Sequence, residues 1–425
     1  MGFAARARAS LALYADRRML AIFGMGLASG LPLLLTTGTL SYWLAKAGVD
    51  KTSIGLFALV GLPYSLKFLW APVLDHVRIP VLGERLGQRR SWALLTQLAL
   101  AACIAALGAT DPAHGPWATA RLALAIAFLS ATQDVAIDAY RIEVLSESEQ
   151  GGGAAATQTG YRIGLLVAGA GAIALADFVP WSIVFAALAC VMGVGVASVL
   201  LAPPPPSVAP APGDASRSAV LERALVAPLR DFSLRPMWAA ILAFAMLYKF
   251  GDAVAGVMAN KFYVDLGFTG VEIASVTKVL GLAASIGGVL VGGILVAQLG
   301  VFRALLLGGL LQVPSLLLFA FAARLGHDLG GLAMAVGADS FSSGIAGAAL
   351  VAYLSSLCRA PFTATQYALL TSLMAAGRTA LASGSGWLAA QLEWAQFFSA
   401  AALLAAPGLL LLAWIWRSTR PRTAC

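Results

Sequence analysis

The sequence predicts an all-α integral membrane protein, with twelve transmembrane helices arranged as two six-helix bundles. Hydrophobic residues make up 60% of the 425-residue chain and charged residues only 11%, with a mean hydropathy of +0.84. A soluble domain carries about 25% charged residues. Apolar stretches recur from end to end at about the 20-residue length that crosses a hydrocarbon core. Basic residues gather in alternate connections between those stretches, the pattern of a chain that threads a bilayer back and forth.

The first half, residues 1–201, holds spans at 19–45, 53–74, 91–109, 117–140, 154–176 and 180–201. Span 1 carries Gly26 and Gly30 one turn apart and then Pro32, while span 2 carries Pro63, Lys67 and Pro72. Prolines inside apolar spans are expected to kink them and free backbone carbonyls. Span 4 carries Asp134 and Asp138, and span 5 carries Arg162 between Gly160 and Gly164. A linker at 202–235 begins with four consecutive prolines and ends in a basic stretch, a composition that does not cross a bilayer.

The second half, 236–425, repeats the plan at 236–261, 271–297, 301–323, 329–354, 361–389 and 394–416. Span 7 holds Lys249 and Asp252, span 8 Lys278 with Gly288 and Gly292, span 10 Asp339 and span 11 Arg378. Small residues at one-turn spacing let helix backbones approach closely where lipid gives no hydrophobic drive. A trace of internal repetition aligns Tyr42-Trp43 … Gly48 … Ile54 with Phe262-Tyr263 … Gly267 … Ile273.

Counted on the two sides of this topology, eighteen Lys and Arg fall on the side of the termini and linker, and five fall opposite. Both termini are therefore expected to be cytoplasmic. The net charge of +8 belongs to these short loops and forms no aromatic-interleaved patch, so no nucleic-acid partner is expected. The four cysteines show no CxxC spacing and the three histidines stand singly, so neither a disulfide frame nor a metal centre is expected. No apolar run precedes a cleavage site at the start of the chain, so no removable signal peptide is expected.

The ionisable residues inside spans are the functional candidates, because each costs at least about 2.5–3.5 kcal/mol at a helix centre on the insertion scale. The four acids placed well inside spans fall on spans 4, 7 and 10. That concentration points to a shared water-filled route rather than to lipid. Asp134 and Asp138 are four residues apart and share a helix face that continues to Arg141. They serve proton coupling or solute contact, or else pair statically with Lys67, Arg162 or Arg141. Lys249 and Asp252 are placed to pair locally, and Asp339 needs a partner from another helix, with Lys249 and Arg378 as candidates. Gln133, Tyr64, Tyr140, Gln312 and Asn260 are further donors for a polar solute. Between spans 2 and 3, Asp75 followed by Arg89 and Arg90 suggests a gating salt bridge across the bundle interface, or simply a solvated basic loop.

Several ordered motifs resemble the AmpG-type muropeptide permeases of the major facilitator superfamily. They are Gly26-Leu-Ala-Ser-Gly-Leu-Pro32, Trp43 to Asp50, Ile54 to Tyr64, Lys67-Phe-Leu-Trp-Ala-Pro72, Ala131-Thr-Gln-Asp-Val-Ala-Ile-Asp-Ala-Tyr-Arg141 and Gly160-Tyr-Arg-Ile-Gly164. Weaker similarity runs from Tyr248-Lys-Phe-Gly-Asp252 to span 11. The resemblance implies the major facilitator fold, an inner-membrane location, and uptake of GlcNAc-1,6-anhydro-MurNAc and its peptides by proton symport. It further implies a part in peptidoglycan recycling and, in some bacteria, β-lactamase induction. It implies no cofactor beyond the proton gradient, a small amino-sugar or peptide substrate, and a monomer. A transport role carries to Gln133, Asp134, Asp138 and Arg141. The loop from Asp75 to Arg90 is longer than the compact Gly-xxx-Asp-xx-Gly-Arg-Arg pattern of the wider superfamily. A same-fold permease for another solute (acyl-CoA-like, peptide or siderophore) is the alternative. A membrane enzyme acting on lipid-linked wall precursors would need extramembrane catalytic groups or a paired His/Asp cluster, which the sequence does not display.

Overall fold

A computed structural model describes residues 16–49, 60–205, 227–359 and 362–419. The start of span 2, most of the linker and the two ends of the chain lie outside the described residues. Arg378, expected as a partner for Asp339, is exposed and forms no ion pair with it among the described residues.

The first half contains α1 (Arg17–Thr36, resuming at Gly38–Lys46), α2 (Leu62–Leu66, a 3-10 turn at Lys67–Leu69, then Ala71–His76), α3 (Gln88–Gly108) and α4 (Pro116–Val144). It closes with α5 (Gln150–Leu166 running through a π-helical turn at Val167–Gly171 to Ala172–Leu175) and α6 (Trp181–Leu201). The second half contains α7 (Trp238–Leu247 and Phe250–Asp265), α8 (Gly270–Ala274, a π-helical turn at Ser275–Leu280, then Gly281–Leu299) and α9 (Val301–Leu325). After it come α10 (Leu329–Ser356), α11 (Thr363–Ala382 and Ser385–Gln391) and α12 (Trp394–Leu403 and Ala406–Thr419). No strand occurs among the described residues.

Nine of these helices are long and apolar enough to cross a membrane, by length and composition among the described residues. Those three that fall short are α2, α5 and α11, so the predicted count of twelve is not reached on that criterion. Their sequences give the reason. α5 opens with Gln150 and three glycines and carries Thr157, Gln158, Thr159 and Arg162. α11 carries Thr363, Thr365, Gln366, Thr371 and Ser372. Helices that face the other bundle can be polar where lipid-facing ones cannot. In α2 the prolines start new segments instead of kinking one continuous helix: Pro63 opens Leu62–Leu66 and Pro72 opens Ala71–His76. Lys67 occupies the 3-10 turn between them.

Glycines set how closely helices meet. A Cβ on Gly30 or Gly160 would strike the backbone of Tyr161 or Phe23, so α1 and α5 touch along their small residues. Gly288 meets the backbone of Phe341 in the same way, joining α8 to α10. The trace of repetition also acquires a structural meaning. Gly48 and Gly267 both have positive φ, 79° and 83°. The next residue's N–H returns to the carbonyl five back, Val49 to Leu44 at 3.0 Å and Phe268 to Tyr263 at 3.1 Å. The first helix of each half thus ends in the same glycine-dependent Schellman cap. The match puts Leu44 against Tyr263, one residue out of register with the aromatic pairs in the sequence alignment.

Buried apolar clusters stay largely within one half. Two gather α1 to α6 and two gather α7 to α12, while Ala364 and Ala368 of α11 join a first-half cluster. A small cluster of Ala155, Val289 and Ala348 joins α5 to α8 and α10 across the interface.

Candidate functional site

At the end that carries the linker, three helix termini of the first half converge on the Arg89 guanidinium. Asp75, at the end of α2, is fully buried. It accepts from Arg89 Nη2 at 2.7 Å. Across the interface it accepts from the backbone N–H groups of Ala364 and Thr365 at 3.2 and 2.9 Å, and from the Thr365 hydroxyl at 2.5 Å. Those amides belong to the first turn of α11, where orphan donors and the helix dipole favour an anion. The salt bridge expected across the bundle interface is not made there. The ion pair of Asp75 is with Arg89 in its own half, and the link across the interface is a helix cap supplied by another helix. Arg89 also holds Glu143 at the end of α4, with contacts of 2.7 to 3.1 Å, and the Leu74 carbonyl at 2.9 Å.

Arg90 does not join this cluster. Its Nε and Nη2 donate to the carbonyls of Val199 and Leu200, both at 3.0 Å, and so close the last turn of α6. Tyr140 is likewise structural: its hydroxyl donates to the Pro203 carbonyl at 2.8 Å. The sequence placed Tyr140 with the solute pathway; its hydroxyl is engaged by the linker's first proline.

Arg141 bridges the halves. Its side chain is wholly buried and reaches Asp138 at 3.4 Å. It donates to the Ser355 hydroxyl of α10 at 2.9 Å and lies over the Tyr367 ring of α11 at 5.4 Å. Nearby, Asp231 on the short helix Ala227–Ser233 accepts from Gln366 at 2.8 Å and Arg235 at 3.1 Å. Burial would raise its carboxyl, but hydrogen bonds from Gln366 and Arg235 outweigh this and hold it below its ordinary value. On the same end, Asp16 caps α1, and the Arg18 side chain and then its backbone N–H lower its carboxyl.

Farther inside, the acids separate into two groups. Asp134 accepts from the Ser29 hydroxyl of α1 at 2.5 Å. Lys67 is its cationic neighbour, yet the two form no ion pair within 4 Å among the described residues. Tyr64 stands beside Ser130 and Thr36, its hydroxyl buried without a well-formed hydrogen bond. Both polar atoms of the Gln133 side chain are also buried and unpartnered among the described residues. In the second half, Lys249 pairs with Asp252 at 3.0 Å, and both contact Ser343 of α10, at 2.7 and 3.3 Å. Asp339, one turn from Ser343, accepts from Ser315 of α9 at 3.4 Å, and Ser342 reaches the same Ser315 at 3.2 Å. Neither Lys249 nor any other described cation pairs directly with Asp339.

The acids of α4, α7 and α10 are thus satisfied from inside the protein. Asp138 and Asp252 retain 20% and 23% side-chain exposure. Ser29, Ser315, Ser343, Glu143 and the α11 amides escaped the sequence reading. Ser343 alone left a signal, one turn along the helix from Asp339.

A profile of the Major Facilitator Superfamily matches residues 18–381. The Anhydromuropeptide permease of Escherichia coli (strain K12) is 40% identical over 404 residues, covering 95% of this chain and 80% of that relative. The Putative transporter AmpG 4 of Rickettsia felis is 34% identical over 408 residues, covering 95% of this chain and 97% of its own. Among solved structures, a human organic anion transporter aligns with a TM-score of 0.68 at 18% identity, covering 93% of this chain and 98% of that one. A proton:xylose symporter aligns at 0.67 and 11% identity, covering 95% of each chain. At such identities these two structures share the fold.

Proposed function

The chain belongs to the AmpG-type branch of the major facilitator superfamily, and from that premise we propose that it imports GlcNAc-1,6-anhydro-MurNAc and its peptides from periplasm to cytoplasm by proton symport. Its relatives are named as a permease and a putative transporter. Substrate, direction, inner-membrane location, cytoplasmic termini, monomeric state and a place in peptidoglycan recycling are our reading. The observation that carries it is the set of interior acids, Asp134, Asp138, Asp252 and Asp339, each held by hydroxyls or a local cation rather than turned to lipid.

In this reading the gate of Asp75, Arg89 and Arg141 is the inner gate in its shut state. Solute enters the space between the bundles from the other side. Protonation of an interior acid removes a charge that is costly to enclose, so a loaded carrier closes its outer side more readily than an empty one. Asp134 suits this role, because its hydroxyl partner Ser29 can serve either protonation state by rotating its O–H.

Uptake of labelled GlcNAc-1,6-anhydro-MurNAc into energised membrane vesicles tests the proposal. Accumulation is expected, and a proton uncoupler should abolish it. Asp134→Asn should lose uphill accumulation while retaining exchange of solute across the membrane. Accumulation that persists with uncoupler would remove proton coupling, and absence of any uptake would remove the substrate.

A further inference from the structure

Arg162 sits in the middle of α5 and makes no hydrogen bond or ion pair with any described residue. Three other pairs of interior charges answer one another. Asp252 has Lys249 at 3.0 Å, Asp138 has Arg141 at 3.4 Å, and Lys67 and Asp134 lie in each other's field. Asp252 is the charged neighbour of Arg162, but it is already committed to Lys249 and Ser343. One turn below Arg162 on the same helix face is Gln158, whose Nε2 is buried and likewise without a partner. Gln158 looks across the bundle interface, since a Cβ on Gly347 of α10 would come within 3.2 Å of its Oε1. Ala155 touches Ala348 in the same interface. Rising numbers on α5 therefore meet falling numbers on α10, and one further turn brings Arg162 level with Ser343. An unpaired guanidinium and an unpaired amide donor, stacked on one face and aimed across the gap, form a donor set that lacks its acceptor.

We propose that Arg162 and Gln158 form a carboxylate-binding subsite in the gap between α5 and α10. Arg162 supplies the charge and a planar fork that matches a carboxylate bidentately, and Gln158 donates to the same group or to an adjacent carbonyl. The inference rests on the importer reading and sharpens it. The solute is bound as an anion, through the lactyl carboxylate of the bare disaccharide or through a carboxylate of an attached peptide. A half-buried cation left without a counter-ion is costly, and the arriving carboxylate removes that cost.

The test compares GlcNAc-1,6-anhydro-MurNAc with the same disaccharide carrying a primary amide in place of the lactyl carboxylate, taken up into proteoliposomes by the full chain. The wild-type protein should half-saturate at about tenfold lower concentration with the acid than with the amide. Arg162→Gln should raise half-saturation for the acid until it matches that for the amide, erasing the preference, which a general loss of fold would not do. Arg162→Lys should keep part of the preference, because it retains the charge and loses the fork. Thermal unfolding of each purified variant reports whether it is folded. A preference that survives in Arg162→Gln, or a wild-type protein that takes up both solutes equally, overturns the subsite and leaves the importer reading standing. A wild-type protein that takes up neither overturns both.

Discussion

Arg90 donates from two nitrogens to the carbonyls of Val199 and Leu200, while its neighbour Arg89 gathers Asp75, Glu143 and the Leu74 carbonyl. Successive helical residues point about 100° apart, so two adjacent arginines serve opposite faces of α3. Truncating Arg90 leaves two carbonyls in the last turn of α6 without their donor, and each loss of this kind is worth about 1–3 kcal/mol. Arg90→Ala should therefore lower the unfolding temperature of the detergent-solubilised protein while leaving half-saturation for solute unchanged. An unchanged unfolding temperature with impaired uptake would return Arg90 to the gate. The sequence showed both arginines and their charge. It could not show which face meets α6 and which meets α2 and α4, because that is decided by helix packing between residues more than 100 positions apart. Asp134 and Asp138 illustrate the same limit. Their shared face was readable from spacing, but their separate partners, Ser29 and Arg141, lie on a neighbouring helix and one turn onward.

Helices differ in how plainly they announced themselves. Spans such as α6, α9 and α12 are apolar around most of their circumference and read clearly from hydropathy. α5 and α11 turn toward the opposite bundle, so polar residues replace apolar ones and the hydropathy signal weakens, while α2 is divided into short segments by its prolines. Glycine spacing compensates in part, since Gly26, Gly30, Gly160 and Gly164 were visible as a packing pattern before their partners were. The contact they make can be tested. A Cβ at Gly160 would meet the Phe23 carbonyl and the Leu27 nitrogen, whereas one at Gly193 of α6 meets nothing within 4 Å. Gly160→Ala should destabilise the protein by about 1–3 kcal/mol, the usual cost of overpacking. Gly193→Ala should be neutral or stabilising, since Ala loses less backbone freedom than Gly in a helix. Equal unfolding temperatures for the two variants would mean that α1 and α5 are not in backbone contact at this point.

At the scale of the whole molecule, two halves that end their first helices with the same glycine cap are held shut at one end by a few polar groups. Asp75 contributes most of these contacts, since three donors from the start of α11 converge on it. A hydrogen bond to a charged group is worth about 1.5–3 kcal/mol, and these three can exist only while α2 and α11 stay together. Their loss should shift the closed-to-open ratio at the linker end by about tenfold or more. The shift can be read as a distance between spin labels at Glu84 and Ser356, both exposed and on opposite halves, in a background without the four cysteines. Asp75→Ala should move the distribution toward longer distances. Asp75→Asn, which keeps an acceptor oxygen but no charge, should fall between Asp75→Ala and the wild type. Since Arg141 still holds Ser355 in both variants, the closed population should shrink rather than vanish. Adding Arg141→Ala to Asp75→Ala should then deplete it further. A distance distribution that stays at the wild-type value in the double variant would mean that apolar packing, as at Ala155, Val289 and Ala348, closes this end without help from the charges.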